Sequence, residues 1–216
     1  MTAHAPIPDY QAARAAMVDS QLKPQGVNHP SVLEAMMTVA REQFVPDEAK
    51  PLAYIDRAVP LGDGRFLSPA AALGLLLTQL APAAGERALV VGAGTGYSAA
   101  VLAAMGLKVT ALEQSPELAA RARKAGIDVV EGPLDAGWKR RAPFDLILID
   151  GSVEFIPDAL IDQLEEGGRL GGALADRGIV RLIVGRKGGG GFGHYSIADA
   201  AVAPLPGFSR PRAFTF

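Results

Sequence analysis

The sequence predicts an α/β fold: a seven-stranded, mostly parallel sheet ending in an antiparallel hairpin, with a helical extension at the N-terminus. Three observations predict it. From Arg87 onward, short apolar runs alternate with helix-like stretches, and strand alternating with helix at this spacing implies right-handed crossovers in a parallel sheet. The 216 residues are 49% hydrophobic, enough to cover both faces of such a sheet. The length suits one domain, with residues 1–82 as N-terminal extension and 83–216 as the sheet.

Taken in order, Asp9 to Leu22 places Ala13, Ala16, Met17 and Leu22 at helical spacing among polar residues, which reads as an amphipathic helix. Pro24, Gly26, Asn28 and Pro30 mark a turn. Ser31, with Glu34 three residues on, reads as a capping box opening a helix over Val32 to Val39. Asp47 to Pro69 lacks a period and reads as a loop-rich connection, followed by a helix over Ala70 to Leu80 ended by Pro82 and Gly85. Strands are predicted at Arg87–Val91, Lys108–Glu113, Asp128–Glu131, Phe144–Asp150 and Arg169–Leu174. Helices are predicted at Tyr97–Met105, Pro116–Ala125 and Pro157–Leu164. Ile179–Arg186 and His194–Ala203 form the closing hairpin, and Gly188–Gly191 reads as a loose loop between them.

Composition excludes several functions. A net charge of −2 and a pI near 5.9 give no footprint for nucleic acid or a membrane surface. With no cysteine, disulfides, thiolate metal sites and cysteine nucleophiles are out. His4, His29 and His194 are scattered without metal-ligand spacing. Ala70–Leu80 is too short to span a bilayer, and no signal-like segment opens the chain. A cytoplasmic protein is expected.

The informative segment is Leu89-Val90-Val91-Gly92-Ala93-Gly94-Thr95-Gly96-Tyr97. A strand runs into alternate glycines and then a helix, so a ligand could approach the helix N-terminus without meeting a Cβ. In the dinucleotide fingerprint the third glycine comes one residue later than Gly96. The closer spacing is the form S-adenosylmethionine enzymes use, for a ligand with no pyrophosphate. Glu113 ends the next strand twenty-one residues after Gly92, where an acid can accept bonds from both ribose hydroxyls. Asp150 lies at another carboxyl-end position, although capping a helix would explain it equally well. Trp138 reads as core or cofactor-edge packing.

With these residues in place, the chain resembles the protein-L-isoaspartate O-methyltransferases. The resemblance starts at Met17-Val18 and Gln21-Leu22 and runs through Val32-Leu33, Ala35-Met36, Arg41 and Phe44-Val45-Pro46. It continues through Tyr54, Asp56-Arg57, Pro60-Leu61-Gly62, Ser68 and the glycine turn with Ala99 to Ala103. Gly137-Trp138, Ala142-Pro143-Phe144-Asp145, Ile156 to Leu164 and Gly167-Gly168-Arg169-Leu170 complete it. The resemblance implies a methyltransferase-type Rossmann-like sheet, S-adenosyl-L-methionine as cofactor, and carboxyl methylation of isoaspartyl residues in damaged proteins or peptides by a monomer. It implies cofactor contacts from Gly92, Ala93, Gly94, Gly96, Tyr97, Glu113, Gln114, Leu134 and Asp150. Ser68 would orient the acceptor carboxylate, with Asp56 and Arg57 bracing its loop; no metal is implied.

Several positions depart from the family pattern. Val90 stands where the family has an acid, Gly132-Pro133-Leu134 replaces Gly-Asp-Gly, and Phe66-Leu67-Ser68-Pro69 replaces Thr-Ile-Ser before a proline. After the fourth strand, Asp150-Gly151-Ser152-Val153 replaces an alanine-rich loop. Two other functions therefore stay open: a methyltransferase for another acceptor, and a non-catalytic relative serving as a binding protein.

Overall fold

The computed structural model describes residues 9–210; His4 lies outside them. Its sheet is built from β3 (Arg87–Val91), β4 (Lys108–Glu113), β5 (Val129–Glu131), β6 (Phe144–Val153), β7 (Leu164–Asp176), β8 (Ile179–Gly188) and β9 (Gly191–Asp199). The strand order is β5-β4-β3-β6-β7-β8-β9. Pairings from β5 across to β7 are parallel, and those of β7 with β8 and β8 with β9 are antiparallel. After β3 the chain adds β4 and β5 on one side, then crosses to place β6 on the other. The crevice above the carboxyl ends of β3 and β6 is therefore the switch point, where open α/β sheets bind ligands.

Ala88 to Val91 and Leu146 to Ile149 are buried without alternation, as central parallel strands covered on both faces require. One face carries α3 (Ala70–Leu80), which packs on β7 and β8. An ideal Cβ at Gly171 on β7 would lie 2.6 Å from Leu80 Cδ1, so helix and sheet meet there only because that residue has no side chain. The helices α4 (Tyr97–Ala104), α5 (Pro116–Lys124) and α6 (Asp158–Asp162) make the crossovers. No helix among the described residues is long and apolar enough to cross a membrane.

The N-terminal extension is helical. Its first helix, α1 (Tyr10–Met17), starts with the Asp9 carboxylate accepting from Ala12 N and continues as a π-turn over Val18–Leu22. Arg14 ties this helix to Tyr54 (2.9 Å) and Glu42 (3.1 Å). Burial and the bond to Glu42 push the Tyr54 phenol up to about 12. The next helix, α2 (Pro30–Thr38), begins earlier than the capping box implied. His29 is the cap residue, Pro30 supplies the first turn, and Ser31 instead bonds the His29 ring. Proline's fixed φ and missing N–H suit that first position.

The connection expected to be loop-rich contains a 3₁₀ helix at Asp47–Leu52 and a hairpin, β1 (Val59–Gly62) with β2 (Arg65–Leu67). At the tip, Asp63 and Gly64 have φ of 52° and 67°, the conformation an Asp-Gly turn favours. Gly188–Gly191 is likewise tight rather than loose: Gly189 and Gly190 take positive φ and Gly188 pairs directly with Gly191. β6 outruns its expected end, because Ser152 and Val153 pair with Ala173 and Leu174 after a register break.

Gln163 links the resemblance's Gly137-Trp138 pair to α6. Buried, it accepts from Trp138 N (2.6 Å) and donates to Ala136 O and Ala159 O. Gln163→Leu strands these three backbone groups, so a loss of about 2–4 kcal/mol is expected in urea unfolding. A loss below about 0.5 kcal/mol would show that water replaces these bonds.

Candidate active site

At the crevice, β3 ends in a turn whose Gly92, Gly94 and Gly96 have φ of 76°, 56° and 99°, a region that side chains disfavour. Space is as restrictive as conformation. A Cβ at Gly96 would lie 2.7 Å from Ile127 Cγ1, and one at Gly94 would lie 3.0 Å from Leu61 Cδ1. At Gly92 it would meet Leu205 Cδ2 at 2.8 Å and Arg65 Nη2 at 3.1 Å. Gly92 N and Ala93 N both donate to Leu112 O, which ties the turn to β4.

Glu113 ends β4 beside this turn, as predicted, and is fully buried. Its Oε1 accepts from Arg65 Nη1 (2.8 Å), Gln114 N (2.9 Å) and Ser115 N (3.0 Å). Its Oε2 accepts from Gly94 N (2.7 Å) and again from Arg65 Nη1 (2.9 Å). A carboxylate has roughly four acceptor sites, so these five contacts leave none for a ribose hydroxyl. Arg65 also donates to Gly92 O at 2.7 Å. Removing one partner of a buried pair strands the other charge, at about 3–5 kcal/mol.

Leu205 fills the neighbouring space. Ser152 N donates to Ala203 O and Leu205 N donates to Ser152 O, both at 2.8 Å, so the C-terminal segment runs alongside the end of β6. Glu154 N to Phe208 O and the burial of Phe208 anchor it further along. A Cβ at Gly151 would come within 2.4 Å of Leu205 Cγ. Leu205 thus lies against Gly92 after β3 and Gly151 near the end of β6. The bare glycine turn and the strand-end acid suit a ribose-bearing ligand, but in this conformation the chain's own Arg65 and Leu205 occupy the place.

Asp150 and Ser68 come together through one hydrogen bond. Ser68 Oγ lies 2.8 Å from Asp150 Oδ1, and Ser98 Oγ lies 2.6 Å from Asp150 Oδ2. Burial raises the Asp150 carboxyl above the usual aspartate range; the Ser98 and Ser68 hydroxyls pull it back only in part. A small cavity bordered by Ser68, Leu73, Asp150 and Gly151 adjoins the pair. Arg41, fully buried, holds the Ser68 carbonyl at 2.6 Å and the Ala53 carbonyl at 2.7 Å, with its guanidinium 4.8 Å above the Tyr97 ring.

The remaining expected residues are placed less directly. Tyr97 is buried away from solvent against Phe44 and Arg41. Gln114 is exposed, and the Leu134 side chain joins the core that contains Leu112. Val90 points into the core, and Pro133 is exposed. Trp138 packs partly buried, 3.4 Å from where a Gly132 Cβ would be. Asp56 braces the loop by accepting from Ala71 N and Gln25 Nε2, whereas Arg57 is exposed. His29 and His194 stand apart. Arg65 and Leu205 did not emerge from the sequence. Asp63-Gly64 ahead of Arg65 was a readable hairpin signal, but nothing local marks Leu205 as a crevice residue.

The raised Asp150 carboxyl has a pH consequence. Above the ordinary value of about 3.9, the unfolded chain releases this proton while the folded chain still holds it. Folding stability from this group is therefore greatest at low pH and declines as pH rises toward the raised value. Asp150→Asn is expected to flatten that decline in urea unfolding from pH 4 to 7. An unchanged slope would contradict the assignment.

Comparison with known proteins agrees with the geometry. The sequence profile described as protein-L-isoaspartate(D-aspartate) O-methyltransferase (PCMT) matches residues 12–176. A Methylorubrum extorquens (strain PA1) protein-L-isoaspartate O-methyltransferase is 44% identical over 171 residues, covering 76% of this chain and 75% of that protein. A Marinobacter nauticus protein-L-isoaspartate O-methyltransferase 2 is 38% identical over 210 residues, covering 92% of this chain and 95% of that protein. A solved Plasmodium falciparum structure, described as a protein-L-isoaspartate O-methyltransferase in complex with S-adenosyl-L-homocysteine, superposes with a TM-score of 0.75 at 22% identity, covering 92% of this chain and 99% of that one. That likeness shows the methyltransferase fold; the sequence matches show the kinship. The chain belongs to the protein-L-isoaspartate(D-aspartate) O-methyltransferase family.

Proposed function

We propose that this chain is an S-adenosylmethionine-dependent carboxyl methyltransferase acting on L-isoaspartyl residues in damaged proteins or peptides, as a cytoplasmic single-domain monomer. The observation that carries this reading is family membership over residues 12–176 together with a glycine turn and Glu113 at the sheet's switch point. The cofactor supplies a methyl group already activated on a sulfonium. A carboxylate acceptor is anionic at neutral pH, so the protein has to align it and exclude water rather than remove a proton.

The chain's residues divide that work. Gly92 to Gly96 present backbone without side chains, and Glu113 offers its carboxylate to ribose hydroxyls once Arg65 withdraws. Ala93, Tyr97, Gln114, Leu134 and Asp150 complete the cofactor contacts in this reading. Ser68 orients the acceptor, with Arg41 fixing its backbone. Ser68 Oγ donates to Asp150 Oδ1 at 2.8 Å, which holds the serine in place. To donate to an acceptor carboxylate the serine hydroxyl turns away from Asp150, which keeps its bond from Ser98 Oγ.

The saturated Glu113, with Val90 and Pro133 in place of acids, favours a second reading: a relative that no longer uses the cofactor and acts as a binding protein. Labelled methyl transfer to an isoaspartyl peptide, beside its aspartyl twin, decides between them. Transfer to the isoaspartyl peptide alone is expected. Cofactor binding without transfer points to another acceptor, and neither binding nor transfer to the binding-protein reading.

Ser68→Ala is expected to lower transfer to the isoaspartyl peptide roughly tenfold or more, since a bond to a charged group is worth about 1.5–3 kcal/mol. S-adenosylhomocysteine affinity should stay within a few-fold. Unchanged turnover would remove Ser68 from the site.

A further inference from the structure

Taking the switch-point crevice as the cofactor site proposed above, we infer that Arg65 and Leu205 form a two-part internal latch that the cofactor must displace to bind. The two parts come from distant segments and converge on one place. Arg65 projects from the hairpin strand β2 and fills both oxygens of Glu113, with a second bond to the Gly92 carbonyl. Leu205 arrives on the C-terminal segment, held by reciprocal backbone bonds with Ser152, and lies against Gly92 and Gly151. Either residue alone would narrow the crevice; together they take up its polar wall and its floor.

A ligand that needs Glu113 competes with a guanidinium already bound there, and its bulk competes with the leucine. Neither part belongs to the seven-stranded sheet. The hairpin β1–β2 is a separate two-stranded sheet fixed to α5 by Arg121 Nη1 on Leu61 O (2.8 Å). The segment around Leu205 joins β6 through a single bridge, Ser152 with Pro204, and a few backbone bonds. Ser68 follows β2 directly, so withdrawal of Arg65 also shifts the acceptor serine. A closed latch lowers apparent affinity by the open fraction: if one molecule in about ten is open, binding weakens about tenfold.

The test is calorimetric titration with S-adenosylhomocysteine of the full chain, Leu205→Ala and Arg65→Gln, with amide hydrogen exchange over residues 200–210. Leu205→Ala leaves the buried ion pair intact, so it remains informative if Arg65→Gln unfolds; thermal unfolding without ligand reports which variants fold. The latch requires tighter binding by Leu205→Ala, up to about tenfold at that open fraction, and faster exchange over 200–210 when ligand binds the unaltered chain. Equal affinity of variant and unaltered chain, with exchange unchanged, overturns the latch and leaves the cofactor reading standing. Absence of binding by every folded variant overturns the cofactor reading, and the latch with it.

Discussion

The arrangement of the site depends on one buried ion pair, Arg65 with Glu113, set between an Asp-Gly hairpin and the glycine turn after β3. Three backbone N–H groups converge on the same carboxylate, so the acid fixes the start of the helical crossover after β4 as well as the turn. Withdrawing the guanidinium leaves a carboxylate that still has backbone donors but has regained lone pairs.

The surrounding architecture makes this pairing possible. The crossing of the chain from one side of β3 to the other opens the crevice, and the glycines keep its walls bare. Leu205 and Arg65 can enter for the same reason a ligand could: nothing with a Cβ stands in their way. Val90 and Pro133, which depart from the family pattern, lie apart from Arg65 and Leu205: one is in the core and the other on the surface. The departures at those two positions and the Arg65–Leu205 pair thus lie in different parts of the structure.

Much of the fold was legible because period and punctuation were strong. The strand runs Arg87–Val91 and Lys108–Glu113 appear at their expected bounds, and so does the helix Ala70–Leu80. Capping went astray where Pro30 outcompeted Ser31, and the two turns read as loops were tight hairpins set by paired positive φ at Asp63-Gly64 and Gly189-Gly190. Within the site, Glu113 meets the glycine turn and Ser68 meets Asp150, as two separate pairings. Arg65 and Leu205 could not be read locally, because their partners lie 48 residues from Arg65 and, for Leu205, across the sheet at Gly92 and Gly151.

A double-mutant cycle on the ion pair tests the central claim most directly. Arg65→Met, Glu113→Gln and the double variant would be compared with the unaltered chain by urea unfolding at pH 7. Each single change should destabilise by about 3–5 kcal/mol, and the double variant by clearly less than their sum, leaving a coupling of roughly 2 kcal/mol or more. Losses that add to within about 0.5 kcal/mol would mean that the pair does not act as a unit, contradicting an account in which Arg65 holds Glu113 in place of a ligand.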